Sequence, residues 1–556
     1  MKKILFVLTL TMVFAQSSFA QNVNIVQRAR ISFEGQSLAN IWGYAKNGRE
    51  YALVGGSKGL IIMDVTNPDV PQKIVQIPGI DNLWKEIKTY KNFAYVTTEG
   101  GGGLQIIDLT GLPDTNVAAY KAYNYVGDTS LNKVDTAILG QMKAFHSLHI
   151  DTTKGFVYLF GGNSTVSNGG ALILDLKPDP YRPKYAGKFN LSPANRNANY
   201  IHDGYVDNDT LFAAMIYNGT FTTIDFRNKL APVILATTQT PLAFTHNTWL
   251  TPNRKTILAT DEKAGSYLAA YDISDLSNIK LLDKVQNLSD GSIVHNTQIL
   301  RNGNFAVTSW YKDGINITDI TRPQNMVVVG TYDTYPQGMG SGFAGSWGVY
   351  PYLPSGTLVV SNYETGDGFF VLTPQYKRAC YLEGIVRDSF TKVVLSGVAI
   401  KINSTDLDKK ATSDIGGNYR TGQVTPGTVS VTFSKTGYRT KTINVSLVSG
   451  EVAMRDVELV NATINRIADL TDDIQVSAAP NPFNDALSIQ YHLENKVGEN
   501  AVLHVFDVLG KEVFSENIKN TEGDVFVKNN WALGVYTVQI EANGQWSKPL
   551  KVVKTQ

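Results

Sequence analysis

The chain of 556 residues is too long for one ordinary domain, and its 50 basic and 49 acidic residues leave a net charge of +1. That balance excludes the basic footprint of a protein that binds nucleic acid or an anionic membrane. A single cysteine, Cys380, excludes an intrachain disulfide, and its place at the head of the run YLEGIVRD reads as a buried, inert thiol.

The N-terminus, MKKILFVLTLTMVFAQSSFAQ, joins two lysines, a short apolar run and small residues at Ser18 and Ala20. This is the pattern of a secretory signal peptide over residues 1–20, and its apolar run is too short for a good spanning helix. No later segment is long and apolar enough to cross a bilayer. The expectation is an exported chain with no membrane span after signal removal. Tyr, Thr, Val, Ile, Asn and Gly are abundant, an all-β composition of short strands and turns.

Seven segments then open a strand in a similar way: NIWGYA, NLWKEI, AFHSLHI, YIHDGYV, FTHNTWL, IVHNTQI and GSWGVYPY. Their aligned positions are Trp42, Trp84, His146, His202, His246, His295 and Trp347, at intervals of 42 to 62 residues. Each segment starts a four-strand unit. The third strand of six units ends in Asp: Asp64, Asp108, Asp175, Asp225, Asp272 and Asp319. An Asp at a strand end folds its own turn, so these read as structural Asx turns rather than a metal series. Only six fourth strands lie between the seven entries. The missing one is NVNIVQRARI, directly after the signal peptide. A strand displaced to the other end of the chain implies a closed ring, so residues 21–376 are expected to form a seven-bladed β-propeller closed by the N-terminal strand.

After Pro374 the repeat stops. Residues 377–460 alternate as a small β-sandwich. Gly384-x-Val386-x-Asp388, Thr412-x-Asp414-x-x-Gly417-x-Tyr419 and Gly437-Tyr438 resemble the carboxypeptidase regulatory-like (transthyretin-like) domain, an accessory fold. No zinc-peptidase motif accompanies it. Residues 461–473 read as a linker. In 474–556, Pro480-Asn481-Pro482-Phe483, the Asp507–Lys511 turn, Gly534-Val535-Tyr536 and Lys551-Val552-Val553-Lys554 resemble the C-terminal sorting domain of type IX secretion substrates in Bacteroidetes. That resemblance implies engagement of the type IX secretion machinery through residues 474–556, then a secreted or cell-surface location. His492 and His504 fall here and read as structural. With these tails, the propeller units resemble the LVIVD repeats of the choice-of-anchor B family, whose name defines no activity. The whole is an all-β chain: a seven-bladed β-propeller followed by two small β-sandwich domains.

In a propeller the first strand of each blade lines the tunnel. On that frame His146, His202, His246 and His295 come from four consecutive blades at one height, and Trp42, Trp84 and Trp347 complete the ring. Asp203, Asn247 and Asn296 adjoin the histidines, His149 lies three residues into its strand, and facing loops bring Glu99, Asp261, Glu262 and Glu364. Three readings stand open. The imidazoles form a belt of bonds to neighbouring backbone. The His/Trp face binds an extracellular ligand, a glycan, peptide or protein. Or His146, His149, His202, His246 and His295 supply ligands to a divalent metal ion, with Glu99, Asp261 or Glu262 as base in a metal-assisted hydrolase or lyase. A purely structural surface protein is a further alternative, since fold alone does not assign function. Gly55-Gly56-Ser57-Lys58-Gly59 has the letters of a nucleophile elbow but sits between two strands, where that elbow needs a strand-to-helix turn. Asp207-Asn208-Asp209 reads as a tight turn rather than a calcium loop.

Overall fold

The computed structural model describes residues 22–555, apart from 128–141, 163–165, 193, 288, 364–367, 405–406, 408, 410, 463–469, 472–473, 494–500 and 543. The signal-peptide segment 1–20, most of the linker and Glu364 therefore lie outside the described residues. The described chain divides into two compact units. The first holds residues up to 385 with 399–432 and 442–456; the second holds 386–398, 433–441 and 457–556. The division runs through the segment expected as one sandwich.

In the first unit the repeat forms seven four-stranded antiparallel sheets. Their inner strands are Leu38–Lys46, Lys85–Tyr90, Ser147–Asp151, Asp203–Asp207, Thr245–Leu250, Thr297–Ile299 and Ser346–Tyr350. Each inner strand contacts the next, and the last contacts the first, so the sheets close into a propeller. The seventh sheet takes its outer strand from the N-terminus: Ile25–Ile31 pairs antiparallel with Phe369–Pro374. The seam is a core of its own. Leu38, Ile41, Val54, Ile61 and Met63 of the first sheet are buried with Tyr350, Val359, Phe369 and Val371 of the last. Gly43 makes room there: a Cβ would sit 2.0 Å from the Tyr350 ring.

The six repeated aspartates all turn back on their own backbone. Each accepts from the amide two residues on: Thr66, Thr110, Lys177, Arg227, Ser274 and Thr321, at 2.8–3.0 Å. Asp319 carries more. Its side chain is fully buried, it pairs with Arg378 at 2.9 Å and it accepts from the Ala379 amide at 2.8 Å. Asp225→Ala is therefore expected to cost about 1 kcal/mol, one turn hydrogen bond, and Asp319→Ala about 3 kcal/mol, since buried donors lose their partner. Urea unfolding of the two variants checks the ordering; equal losses would refute it.

Within the same unit the strand starting at Cys380 pairs antiparallel with Asn418–Gln423. Arg322 bonds Glu383 at 2.8 Å, and Lys409 bonds Asp283 of the fifth sheet. Cys380 is buried, as expected, with its thiol toward the Val424 carbonyl at 3.8 Å. The second unit contains a three-stranded sheet of Ile474–Ala479, Ala486–Leu493 and Glu522–Lys528, and a larger sheet built on Ala501–Phe506 and Gly534–Ala542. Leu487, Ile489, Leu503, Val505, Val538, Ile540 and Val552 form their shared core. His504 pairs with Glu512 at 2.5 Å and His492 approaches Glu522 at 3.4 Å, both at the surface of this unit. Among the described residues no helix is long and apolar enough to cross a membrane.

Candidate functional site

β-Bulges at the starts of the inner strands build the site. The amide of His146 donates to the Phe160 carbonyl although Ser147 is the residue paired with Phe160. His202 and Asp203 share Ala214 in the same way, and His295 and Asn296 share Ser309. In the fifth and seventh sheets the ladder skips His246 and Trp347 outright. A bulge opposes two residues to one and turns the strand. Here it lets two consecutive side chains face the tunnel. That is the reason for the repeated His-Asn pair: His246 and His295 occupy one layer, Asn247 and Asn296 the next.

The tunnel is therefore filled in three layers. The first holds Lys85, His146, His202, His246, His295 and Trp347. The second holds Asn40, Glu86, Ser147, Asp203, Asn247, Asn296 and Gly348. The third follows two residues on, by strand alternation: Trp42, Lys88, His149, Tyr205, Trp249, Gln298 and Tyr350.

The first layer is an arc of stacked imidazoles. Ring centroids lie 4.0 Å apart for His146–His202, 4.2 Å for His202–His246 and 4.2 Å for His246–His295, and Trp347 caps the arc 4.8 Å from His295. His202 Nδ1 donates to the His246 carbonyl at 3.2 Å, and His295 Nδ1 to the Trp347 carbonyl at 2.5 Å. His246 Nδ1 faces the His295 carbonyl without a hydrogen bond of good geometry. A carbonyl only accepts, so the anchored Nδ1 atoms carry the proton and each Nε2 keeps its lone pair. Burial pushes His295 down to about 3, and burial with the neighbouring imidazoles holds His202 and His246 well below the usual histidine range. At the open end His146 Nδ1 donates to Glu99 at 2.7 Å, and that bond holds the Glu99 carboxyl below its ordinary value.

Glu262 reaches the arc from the loop after the strand Thr256–Asp261. Its carboxylate lies 3.8 Å from His246 Nε2 and 4.0 Å from His295 Nε2, and it accepts from the Tyr311 hydroxyl. Burial pushes Glu262 up to about 7. The donor atoms of His202, His246 and Glu262 all lie within 4.8 Å of one another.

Several expected members stand elsewhere. Trp42 is two layers deeper, against Tyr350 at 4.8 Å and under Lys88, because the bulge in its strand falls at Ala39 and Asn40. Trp84 is one residue short of the tunnel; it is 39% exposed and makes none of the ring contacts of the arc, and Lys85 takes its place. The Lys85 ammonium turns back to the carbonyls of Ser57, Ile80 and Asn82. His149 lies in the third layer beside Tyr205, at 4.7 Å, and its Nδ1 accepts from the Val206 amide, so it does not join the other imidazoles. Asp261 is committed to its own blade, accepting from the amides of Leu242 and Phe244 and from Thr240. Asp203, Asn247 and Asn296 are one layer below the arc. Asp203 accepts from Ser147 at 2.8 Å and Asn247 at 2.7 Å, and Asn40 donates to Glu86. Gly348 completes this layer, since a Cβ there would meet Asn40 Oδ1 at 2.2 Å. The Asp207-Asn208-Asp209 stretch is a tight turn with positive φ at Asn208 and Asp209.

At the far ends of the inner strands the third layer opens into a cavity of about 420 Å³, lined by Trp42, Tyr205, Trp249, Tyr350, Tyr352 and Arg301 among others. Four of these aromatics sat in the sequence at fixed offsets from the layer residues, and only the misplacement of Trp42 hid them. Tyr311 left no repeated letter to find.

Residues 49–74 match the LVIVD repeat, residues 381–460 the carboxypeptidase regulatory-like domain and residues 477–555 the secretion system C-terminal sorting domain. The β-propeller domain of Cps50 (Swd1) from Myceliophteria thermophila is similar at 11% identity and a TM-score of 0.43, covering 63% of this chain and 100% of that one. No curated protein matches the chain. The LVIVD match at residues 49–74 lies within the closed ring of sheets, and the sorting-domain match at residues 477–555 indicates export by type IX secretion to the cell surface or the medium.

Proposed function

We propose that the exported propeller is a binding module for an extracellular glycan, taken up at the aromatic mouth rather than at the imidazole arc. The observation that carries this reading is the cavity of about 420 Å³ ringed by Trp42, Tyr205, Trp249, Tyr350 and Tyr352. Its size is that of a small-ligand site, and aromatic faces stack on the C–H faces of a sugar ring. Asp207 and Arg301 at the rim supply the polar groups that sugar hydroxyls need. Trp42 Nε1 is tied to Thr89 at 3.2 Å, which holds its ring in place before a ligand arrives.

The test is retention on a glycan array by residues 21–556. Trp42→Ala is expected to weaken binding of the best glycan by about tenfold or more, the usual range for a stacking anchor. Trp347→Ala, at the other end of the tunnel, is expected to leave it unchanged. Loss with Trp347→Ala and not with Trp42→Ala would move the ligand to the imidazole face and end this reading.

A further inference from the structure

We propose that His202, His246 and Glu262 are the ligands of a divalent transition-metal site, with His295 within reach as a fourth donor. The proposal rests on the imidazole arc alone and is independent of the glycan reading.

A belt of bonds to neighbouring backbone explains one nitrogen of His202 and of His295. It explains why Nδ1 of His202 and His295 meet carbonyls of the next blade. It does not explain the other nitrogen. The Nε2 atoms of His246 and His295 converge on one buried carboxylate, at 3.8 Å and 4.0 Å. Such convergence is what a metal ligand set requires, and the Nδ1–H bonds to carbonyl oxygen are the usual outer support that fixes tautomer and ring direction. Glu262 is supported too, by the Tyr311 hydroxyl on Oε1, which leaves Oε2 toward His246.

Charge makes the same point. Glu262 is a carboxyl group taken out of water beside His246 and His295, with Tyr311 as its hydrogen-bond donor. In its ionised form it would be a buried anion, which is costly unless a cation stands beside it. Among the described residues no Lys or Arg forms an ion pair with Glu262, and a dication between the ligands would compensate it. Two imidazoles and a carboxylate suit zinc and its transition-metal neighbours rather than magnesium or calcium, which prefer all-oxygen shells. Donors around a tetrahedral zinc ion stand about 3.4 Å apart, so the set at up to 4.8 Å must close slightly on loading. Rotation of the His202 ring about its Nδ1 anchor, and of the His246 ring, whose Nδ1 makes no hydrogen bond, supplies that movement without breaking the belt. The three ligands come from two inner strands and one loop, so the ion would tie the fourth blade to the fifth.

The test uses residues 21–556 without a polyhistidine tag. It is stripped with chelator, reloaded with Zn²⁺ or Co²⁺, gel-filtered and analysed for metal. The expected result is about one ion per chain, a rise in melting temperature with Zn²⁺, and the visible absorption of tetrahedral cobalt(II). Glu262→Gln and His246→Gln are expected to lose all three. Glu99→Gln and Trp42→Ala are expected to keep them. Should His246→Gln fail to fold, Glu262→Gln, which keeps the Tyr311 hydrogen bond, decides alone. No retained metal in the folded wild type overturns the proposal. So does equal retention by wild type and Glu262→Gln. A glycan-array failure with metal retained would remove only the glycan reading.

Discussion

Removal of residues 22–31 is expected to collapse the propeller, not to trim its edge. The strand Ile25–Ile31 holds six register partners on Phe369–Pro374. It also fastens the sheets on either side. Val23 exchanges both backbone hydrogen bonds with Thr331, Tyr332 donates to Gln27 at 2.7 Å, and Arg28 forms a two-toothed pair with Asp69 at 2.6 and 2.7 Å. Sixth, seventh and first sheets thus meet on one short strand. At about 1 kcal/mol net per ladder bond, and with Ile25 re-exposed, the loss is about 5 kcal/mol or more, a large fraction of a typical folding free energy. The uncovered edge of Phe369–Pro374 would also offer a template for pairing between chains. The expected outcome is an aggregating or early-melting protein in light scattering and calorimetry. A peptide with the sequence NVNIVQRARI added in trans is expected to restore part of the melting temperature. A truncated chain that melts with the wild type and stays monomeric would show that the ring closes through inner-strand packing alone.

The repeat, its turns and the displaced strand were readable because each obeys a local rule. Strand alternation has period two, Asp at a strand end folds an Asx turn in every unit, and a missing outer strand has to come from somewhere. The layering of the tunnel was not readable to the same depth. It depends on where each inner strand bulges, and one inserted residue moves a side chain to the other face. His146, His202, His246, His295 and Trp347 share a bulge position, so matching their letters placed them correctly together. The first two blades carry no histidine. There the repeat aligns tryptophans, Trp42 and Trp84, with the arc, although Ala39 and Lys85 have the equivalent backbone positions. Glu262 was legible as a loop acid facing the tunnel mouth. Tyr311, which donates to it, comes from the equivalent loop of the sixth blade, between Phe305–Ser309 and Ile315–Asp319.

The second large effect lies in the middle layers, where Lys88→Met is expected to cost about 3–5 kcal/mol at neutral pH, the usual consequence of stranding one member of a buried ion pair. Glu86 and Lys88 are 7% and 8% exposed in the tunnel wall. The Lys88 ammonium bonds Glu86 Oε1 and lies 4.3 Å from the Trp42 ring centroid, while Asn40 donates to Glu86 Oε2. Burial pushes the Glu86 carboxyl up, Lys88 pulls it down, and Asp203 nearby adds to the upward push. Without Lys88 the downward pull is gone. The folded state then holds a proton on Glu86 that the unfolded chain releases near its ordinary value of 4.5. Between those two values the folded state binds more protons, so stability falls as pH rises. The variant is thus expected to melt close to the wild type at pH 4 and progressively lower above it. Glu86→Gln combined with Lys88→Met removes the charge altogether and is expected to regain most of the loss, because a Gln amide still accepts from Asn40 and Met fills the space under Trp42. If the double variant stays as unstable as the single one, the packing of the Lys88 stem on Trp42, and not its charge, is what the tunnel wall requires. If the loss relative to the wild type does not change with pH, Glu86 carries the same proton in both folds, and the pair is a neutral contact.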